Sequence, residues 1–168
     1  MKDTAAKKAA IEQMIAAVDW TRYETAYGNA AQDSPYYVST GDARGYIPKV
    51  GRSLQELLAE DQTKALRASH DLWCGLCHQH VQVASAALPA FDILMQTLPV
   101  VSDKVKVEIL DIFYGFAVCT TAETSPVTWR GWLRAALVAH LADFEKLAQH
   151  ENEDIAAFAQ NIVAELTA

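Results

Sequence analysis

The strongest constraint on the fold is a stretch of sequence that recurs after 40 residues. Residues 71–76, Asp-Leu-Trp-Cys-Gly-Leu, align with residues 111–116, Asp-Ile-Phe-Tyr-Gly-Phe, with the same Asp and Gly. Leu58 aligns with Leu98 at the same offset. Both copies lie among apolar residues at helical spacing, so the repeating unit is a helix, a short turn and a second helix. Such a unit cannot bury its apolar face alone and stacks on its neighbours.

Helical spacing of apolar residues extends over most of the chain, and no convincing period-2 run is present. An amphipathic helix is predicted over 4–18, whereas frequent Gly, Pro, Asp and Asn predict a long loop at about 28–51. Six further helices are predicted. The first starts at a capping box of Ser53 and Glu56, and its partner runs from Asp61 or Thr63 to about 79. The others lie over 84–98, from Ser102 or Asp103 to about 119, from Pro126 to about 149, and after a cap at Asn152.

These elements predict an all-α fold, with residues 1–168 as a single domain. The chain length suits one domain, and 51% apolar residues can form a sizeable core. A period of about 40 residues is typical of HEAT repeats and predicts HEAT-like stacked hairpins at 53–79 and 84–119, with a third after Pro126. The N-terminal helix is then a capping helix. The alternative is an irregular helical bundle in which the match arises by chance.

Charge and composition narrow the class of partner and the compartment. The formal net charge is -7, and the acidic excess falls after Gly51, which argues against a nucleic-acid partner. No apolar run approaches the ~18 residues of a membrane span, and no secretory signal is visible. Three cysteines do not form a disulfide framework. We therefore expect a cytoplasmic protein that binds neither membrane nor nucleic acid.

Residues 73–78, Trp-Cys-Gly-Leu-Cys-His, imitate two known sites. Cys-x-x-Cys-His is the attachment motif of c-type haem, but that chemistry requires export. The thioredoxin active site places its first Cys at a helix N-terminus after a strand, whereas Cys74 follows a predicted helix. The surrounding sequence therefore disfavours both chemistries.

Zinc is the third chemistry that this segment could support, through Cys74, Cys77, His78 and His80. A structural zinc site normally takes its ligands from two separated segments, and the remaining cysteine, Cys119, is alone. The simpler interpretation is that Cys74 and Cys77 pack as small residues on a helix face. We therefore expect no metal, no cofactor and no enzyme activity.

Five segments carry a resemblance to a known group of proteins, together with an opening at 19–20 and 26–28. The segments are 54–58 (Leu-Gln-Glu-Leu-Leu), 65–66, 72–79, 86–89 and 108–112. They resemble bacterial HEAT-like repeat proteins, in which a helix ending in Trp and then His-Gln leads to a loop and an Ala-rich helix. The sequence departs from that group at His80, where the group has Gly after His-Gln. Gly allows backbone angles that His resists, so the geometry of the turn after Gln79 is left open.

The resemblance implies a function, because several members of such groups lie beside polymorphic toxins or secretion-system effectors. It implies an immunity protein that neutralises a cognate toxin or effector by tight binding. An acidic inhibitor can be steered onto a partner with a basic surface. The candidate contact residues are two tyrosines of the loop and four acids: Tyr36, Tyr37, Glu60, Asp61, Asp103 and Glu123.

Simpler interpretations exist for each candidate. The acids can be solvated charges or helix caps, and the tyrosines can attach the loop to the helices. Two other functions stay open: a generic HEAT-like scaffold or regulatory protein, and a thiol-redox or metal protein built on Cys74, Cys77 and His78. We also predict that His78 and Gln79 end their helix, with side chains bonded to the following loop rather than to a ligand.

Overall fold

The computed structural model describes residues 2–35 and 45–168. α-Helices account for most of this part of the chain, which confirms the all-α prediction: α1 Lys2–Ala17, α2 Val50–Glu56, α3 Gln62–Cys77, α4 Ala87–Thr97, α5 Asp103–Cys119, α6 Trp129–Ala139, α7 Leu141–Leu147 and α8 Glu153–Thr167. Short 3-10 turns lie at Trp20–Arg22, His78–His80 and Leu98–Val100. Within the described ranges, no helix is long and apolar enough to cross a membrane.

The predicted loop at about 28–51 is only partly correct. It contains the two-residue strands β2 (Gly28–Asn29), β3 (Ser34–Pro35) and β4 (Tyr46–Ile47), and β2 pairs antiparallel with β1 (Glu24–Thr25). β3 and β4 also pair antiparallel. Ladders of two residues are too short to produce an alternating pattern in the sequence, so no strand was predicted.

The capping box predicted at Ser53 and Glu56 is wrong. α2 begins at Val50, and its N-cap residue Lys49 makes no side-chain cap. Ser53 is buried inside the helix, where its hydroxyl has no hydrogen-bond partner among the described residues. Contacts with the preceding segment fix this helix start, because the Val50 N–H donates to the carbonyl of Ala30 at 2.9 Å.

Two other predicted caps are confirmed. Asp61 Oδ1 accepts hydrogen bonds from the backbone N–H groups of Thr63 and Lys64 and so caps α3. The Asn152 side chain caps α8 in the same way. These caps satisfy backbone donors that would otherwise lack partners at the first turn.

The long helix predicted from Pro126 to about 149 is interrupted in the structure. It starts at Trp129, and a break at His140 divides it into α6 and α7. The His140 ring lies 5.6 Å from the ring of Phe91 in α4, and its Nδ1 lies 2.7 Å from Asp143 Oδ2. Packing against α4 therefore accompanies the change of direction, and no local pattern in the sequence marks it.

The helices pack in two rows. α3, α5 and α8 form one row with α5 in the centre, while α1, α4 and α6 form the other; α2 packs on α3, and α7 packs on α8. α3 and α5 begin side by side, because Gln62 Nε2 donates to Ser102 Oγ at 3.1 Å. α5 and α8 end side by side, where Thr121 Oγ1 donates to Glu165 Oε2 at 2.9 Å. The three helices of the first row therefore run parallel.

Four phenylalanines form the centre of the core. The Phe113 ring lies 5.1 Å from Phe91, 6.1 Å from Phe116 and 5.8 Å from Phe144, measured between ring centroids. All four side chains are fully buried. Phe113 thus joins α5 to α4 and α7.

We expect Phe113→Ala to lower the free energy of unfolding by about 3–5 kcal/mol, since it leaves a cavity where three rings meet. Urea unfolding followed by circular dichroism measures this loss. Phe158→Ala on α8 is the control, because Phe158 is only partly buried and should cost less. Equal losses for the two variants would contradict the central position of Phe113.

Candidate interaction surface

The turn after α3 has the most unusual backbone of the described residues. His78, Gln79 and His80 have φ angles of 38°, 56° and 64°, and they are the non-glycine residues of positive φ in the described chain. Each L-residue in this region costs roughly 1–2 kcal/mol. Such strain persists only where the surrounding structure holds it, and it clusters at functional sites. The surroundings of this turn are therefore the first place to look for a site.

The His80 side chain is held by α3 and α5 together. Its Nε2 atom lies 3.2 Å from Trp73 Nε1, 2.9 Å from Asp111 Oδ1 and 3.1 Å from the Asp111 carbonyl oxygen. Cys119 Sγ lies 3.5 Å from the His80 carbonyl oxygen, to which the thiol donates. His80 is therefore fixed at both its ring and its backbone.

Gly115 allows the turn to approach α5. A Cβ atom at this position would lie 2.7 Å from Cys77 Sγ and 2.7 Å from His80 Cδ2, closer than non-bonded atoms approach. Its counterpart in the 40-residue match, Gly75, is less constrained, because a Cβ there would make only ordinary contacts with Thr25 and Ile47. The two glycines thus have different roles, although the sequence aligns them.

Four rings follow one another along this side of the molecule. The centroid of His70 lies 5.6 Å from that of Trp73, Trp73 lies 5.9 Å from His80, and His80 lies 5.2 Å from Tyr114. We call His70, Trp73, His80 and Tyr114 the ring row. His70 is exposed and the other three are partly exposed. Aromatic side chains that are both ordered and accessible favour contact with a partner.

Two carboxylates of α5, Glu108 and Asp111, lie beside the ring row, and the six residues together form what we call the ring-row face. Burial raises the pKa of Glu108, Asp111 raises it further, and His70 partly opposes this. Burial also raises the pKa of Asp111, while His80 lowers it. Glu108 makes no hydrogen bond or ion pair within the described part of the chain.

The cysteines of the Trp-Cys-Gly-Leu-Cys-His segment have properties opposite to those of reactive thiolates. Burial raises the pKa of Cys74 to about 11 and that of Cys77 to about 12. Cys77 Sγ lies 3.3 Å from the carbonyl oxygen of Trp73, to which the thiol donates. Redox and metal chemistry use thiols of lowered pKa. In the described ranges, no group of three or more His, Cys, Asp or Glu residues is arranged to hold a metal.

His78 and Gln79 end α3, as the sequence predicts, but their side chains do not bond to the following loop. His78 Nδ1 is buried and has no hydrogen-bond partner among the described residues. The His78 ring packs instead against Tyr27, with 5.6 Å between the ring centroids. Gln79 is exposed. The predicted side-chain hydrogen bonds are therefore wrong.

The acids predicted as partner contacts fall at two ends of the molecule. Glu60, Asp61 and Asp103 lie where α3 and α5 begin, whereas Glu123 follows the end of α5, a 17-residue helix about 25 Å long. The structure thus brings three of the four together. Tyr36 and Tyr37 lie outside the described residues.

Local contacts involve three of these acids. Asp61 is a helix cap, and Glu123 Oε1 accepts a hydrogen bond from the Ser125 N–H at 3.0 Å. Asp103 Oδ1 lies 2.7 Å from Lys106 Nζ, and this hydrogen bond holds the pKa of Asp103 below its usual range. Glu60 is exposed. Their part in partner binding stays a prediction.

Comparison of the chain with protein-family models, with curated proteins and with solved structures finds no match in any of the three. Function must therefore be argued from the ring-row face itself. Sequence reasoning did not bring its members together as one site, because Trp73 and His80 lie 28 or more positions from Glu108, Asp111 and Tyr114. The one signal that the sequence offered was His80, which stood among the possible zinc ligands.

We expect Gln79→Gly to be neutral or to stabilise the protein by up to about 1 kcal/mol. Glycine adopts a φ of 56° without steric cost, which outweighs its greater freedom in the unfolded chain. Urea unfolding measures the change. The control is Gln82→Gly, an exposed residue outside the left-handed region, which should lose up to about 1 kcal/mol. Equal losses for both would show that the turn is not strained.

We expect Glu108→Gln to stabilise the protein at pH 7, by on the order of 0.5 kcal/mol since the site is partly exposed. A carboxyl whose pKa is raised by folding destabilises the native state when it is ionised. The stabilisation by Glu108→Gln should therefore be fully present above the pKa of Glu108 in the folded protein. It should vanish as the pH falls below the pKa of a glutamate in the unfolded chain, about 4.3. Thermal unfolding between pH 3 and 8 measures it, with exposed Glu145→Gln as the control. A loss of stability at pH 7 would contradict this account.

Proposed function

We propose that this protein is a binding module of the immunity type, which neutralises a toxin or effector protein by covering part of its surface. The observation that carries the proposal is the ring-row face, where a partly exposed Trp and Tyr lie beside two carboxylates. Trp and Tyr are enriched among the residues that dominate binding energy at protein interfaces. A strained turn that holds these rings in place reduces the entropy lost on binding.

The packing of the helices supports a HEAT-like architecture as part of this proposal. α3 and α5 lie side by side and parallel, and the hydrogen bond between Gln62 and Ser102 joins positions 40 residues apart. α8 continues the same row, while α1, α4 and α6 supply the second row. Stacked helical hairpins of this kind present one extended face to a partner. The ring-row face belongs to the α3 and α5 part of that face.

Charge supports a basic partner. The net charge of -7 would accelerate encounter with a positively charged toxin. Binding alone is sufficient for neutralisation, so the proposal includes no catalytic activity and no cofactor. It includes a cytoplasmic location, where a translocated toxin would meet its inhibitor.

The proposal predicts that co-expression of this protein rescues cells from the toxic product of a neighbouring gene. Trp73→Ala should weaken the complex by about 30-fold or more and reduce the rescue, because it removes the largest accessible ring of the ring-row face. Isothermal titration with the purified toxin measures the affinity. The absence of a toxic neighbour, or of any rescue, would refute the proposal.

Two variants make this experiment specific. Trp132→Ala is the matched control, since Trp132 is a 54% exposed Trp on α6, outside the ring-row face. It should leave affinity and rescue unchanged. Glu60→Gln tests the end of the molecule that the sequence favoured; a larger effect there than at Trp73 would move the binding surface to the beginning of α3 and α5. Unfolding midpoints confirm that each variant is folded.

A further inference from the structure

We propose that the ring-row face binds the guanidinium group of an arginine presented by the partner, with Glu108 and Asp111 as acceptors and the ring of Trp73 as the stacking surface. The inference names the partner chemistry of this surface and so rests on the proposed function.

The acceptors are available and close together. Glu108 and Asp111 are separated by three positions on α5, so their side chains project from the same side of the helix. Both carboxylate oxygens of Glu108 lack hydrogen bonds within the described chain, and Asp111 uses Oδ1 to contact His80. Free carboxylate oxygens on one side of a helix suit the several N–H donors of a guanidinium.

Among the described residues, no lysine or arginine forms an ion pair with the two carboxylates of the ring-row face. In the described ranges, the lysines and arginines that form ion pairs do so with Asp3, Asp33, Glu56 and Asp103, and none reaches Glu108 or Asp111. Among the described residues, His80 is the one ionisable donor in contact with either carboxylate. Burial acts against the ionised form of both carboxylates, and repulsion from Asp111 acts further against that of Glu108. A cation supplied by a partner would relieve both effects, and the gain would appear as binding energy.

The rings favour guanidinium over a compact ammonium. A planar guanidinium stacks on an indole or phenol face while its edge donates to a carboxylate, which lysine cannot do in the same geometry. The same chemistry occurs elsewhere in this chain, where Arg130 Cζ lies 5.3 Å from the centroid of the Trp129 ring. In the ring row, Trp73 contacts His80, which contacts Asp111, so an indole and a carboxylate lie on either side of one imidazole.

The test uses N-acetyl-arginine amide as the probe, followed by the indole N–H resonances in ¹H–¹⁵N NMR spectra of the intact protein. The four tryptophans give four indole signals, and Trp73→Phe identifies the one from Trp73. We expect a saturable shift of the Trp73 signal with millimolar affinity, and no saturable shift of Trp132. N-acetyl-citrulline amide, the neutral analogue of almost the same shape, should bind at least fivefold more weakly.

Two variants distinguish recognition of the probe's charge from non-specific binding. Glu108→Gln should weaken binding of the arginine probe about fivefold, because it removes one partly exposed charge pair. Glu145→Gln changes the net charge equally on α7 and should have no effect. Equal binding of citrulline, equal shifts of all tryptophans, or unchanged affinity in Glu108→Gln would overturn the inference.

The result of the titration with N-acetyl-arginine amide is independent of the result of the rescue experiment. Rescue that depends on Trp73 but not on Glu108, together with no arginine binding, would overturn the guanidinium site and leave the proposed function standing. Saturable arginine binding without any rescue would refute the immunity function and support the guanidinium site.

Discussion

The close approach of the 78–80 turn to α5 at Gly115 is the contact on which the site depends. Any side chain at Gly115 would occupy the space of Cys77 Sγ and the His80 ring. Because that space is open, the His80 ring can lie between Trp73 and Tyr114 and reach Asp111. The same approach fixes the relative position of α3 and α5. One missing Cβ atom therefore determines both the packing of two helices and the geometry of the surface they share.

At His80, the energetic cost of the left-handed backbone opposes the gain from the contacts of the imidazole ring. A glycine would adopt a φ of 64° without steric cost. Here the histidine gains two ring contacts, a contact with Trp73 Nε1 and a contact with Asp111. Those contacts must offset the roughly 1–2 kcal/mol of the left-handed backbone. The residue at this position is thus explained by the ring-row face rather than by the turn itself.

Sequence reasoning succeeded where structure is local and failed where distant segments decide it. The spacing of apolar residues predicts α3, α5 and α8, and the caps at Asp61 and Asn152 follow from their own neighbours. The start of α2 depends instead on Asp33, whose Oδ1 accepts a hydrogen bond from the Lys49 N–H at 3.0 Å. The break at His140 likewise involves Phe91, nearly fifty residues earlier. Local propensity carries no record of such contacts.

The same limit applies to the site. The 40-residue match in the sequence predicts that α3 and α5 are neighbours, but it does not predict which of their side chains are exposed. It aligns Asp71 with Asp111, yet Asp71 is 2% exposed and Asp111 lies at the surface beside the ring row. The two aspartates that the 40-residue match aligns therefore have different environments, one buried and one on the ring-row face. A repeat predicts which helices are neighbours, but the environment of each side chain depends on what packs beyond them.

His80 Nε2 connects the two halves of the proposed site through a single proton. Trp73 Nε1–H can donate only to an unprotonated Nε2, whereas Asp111 Oδ1 at 2.9 Å requires a proton on that atom. One atom cannot satisfy both neighbours at once. The Asp111 carbonyl oxygen, 3.1 Å from the same atom, likewise accepts a hydrogen bond only when Nε2 carries the proton. The Trp73 indole therefore competes with two acceptors for Nε2, and a guanidinium bound at Asp111 Oδ1 would remove only one of them.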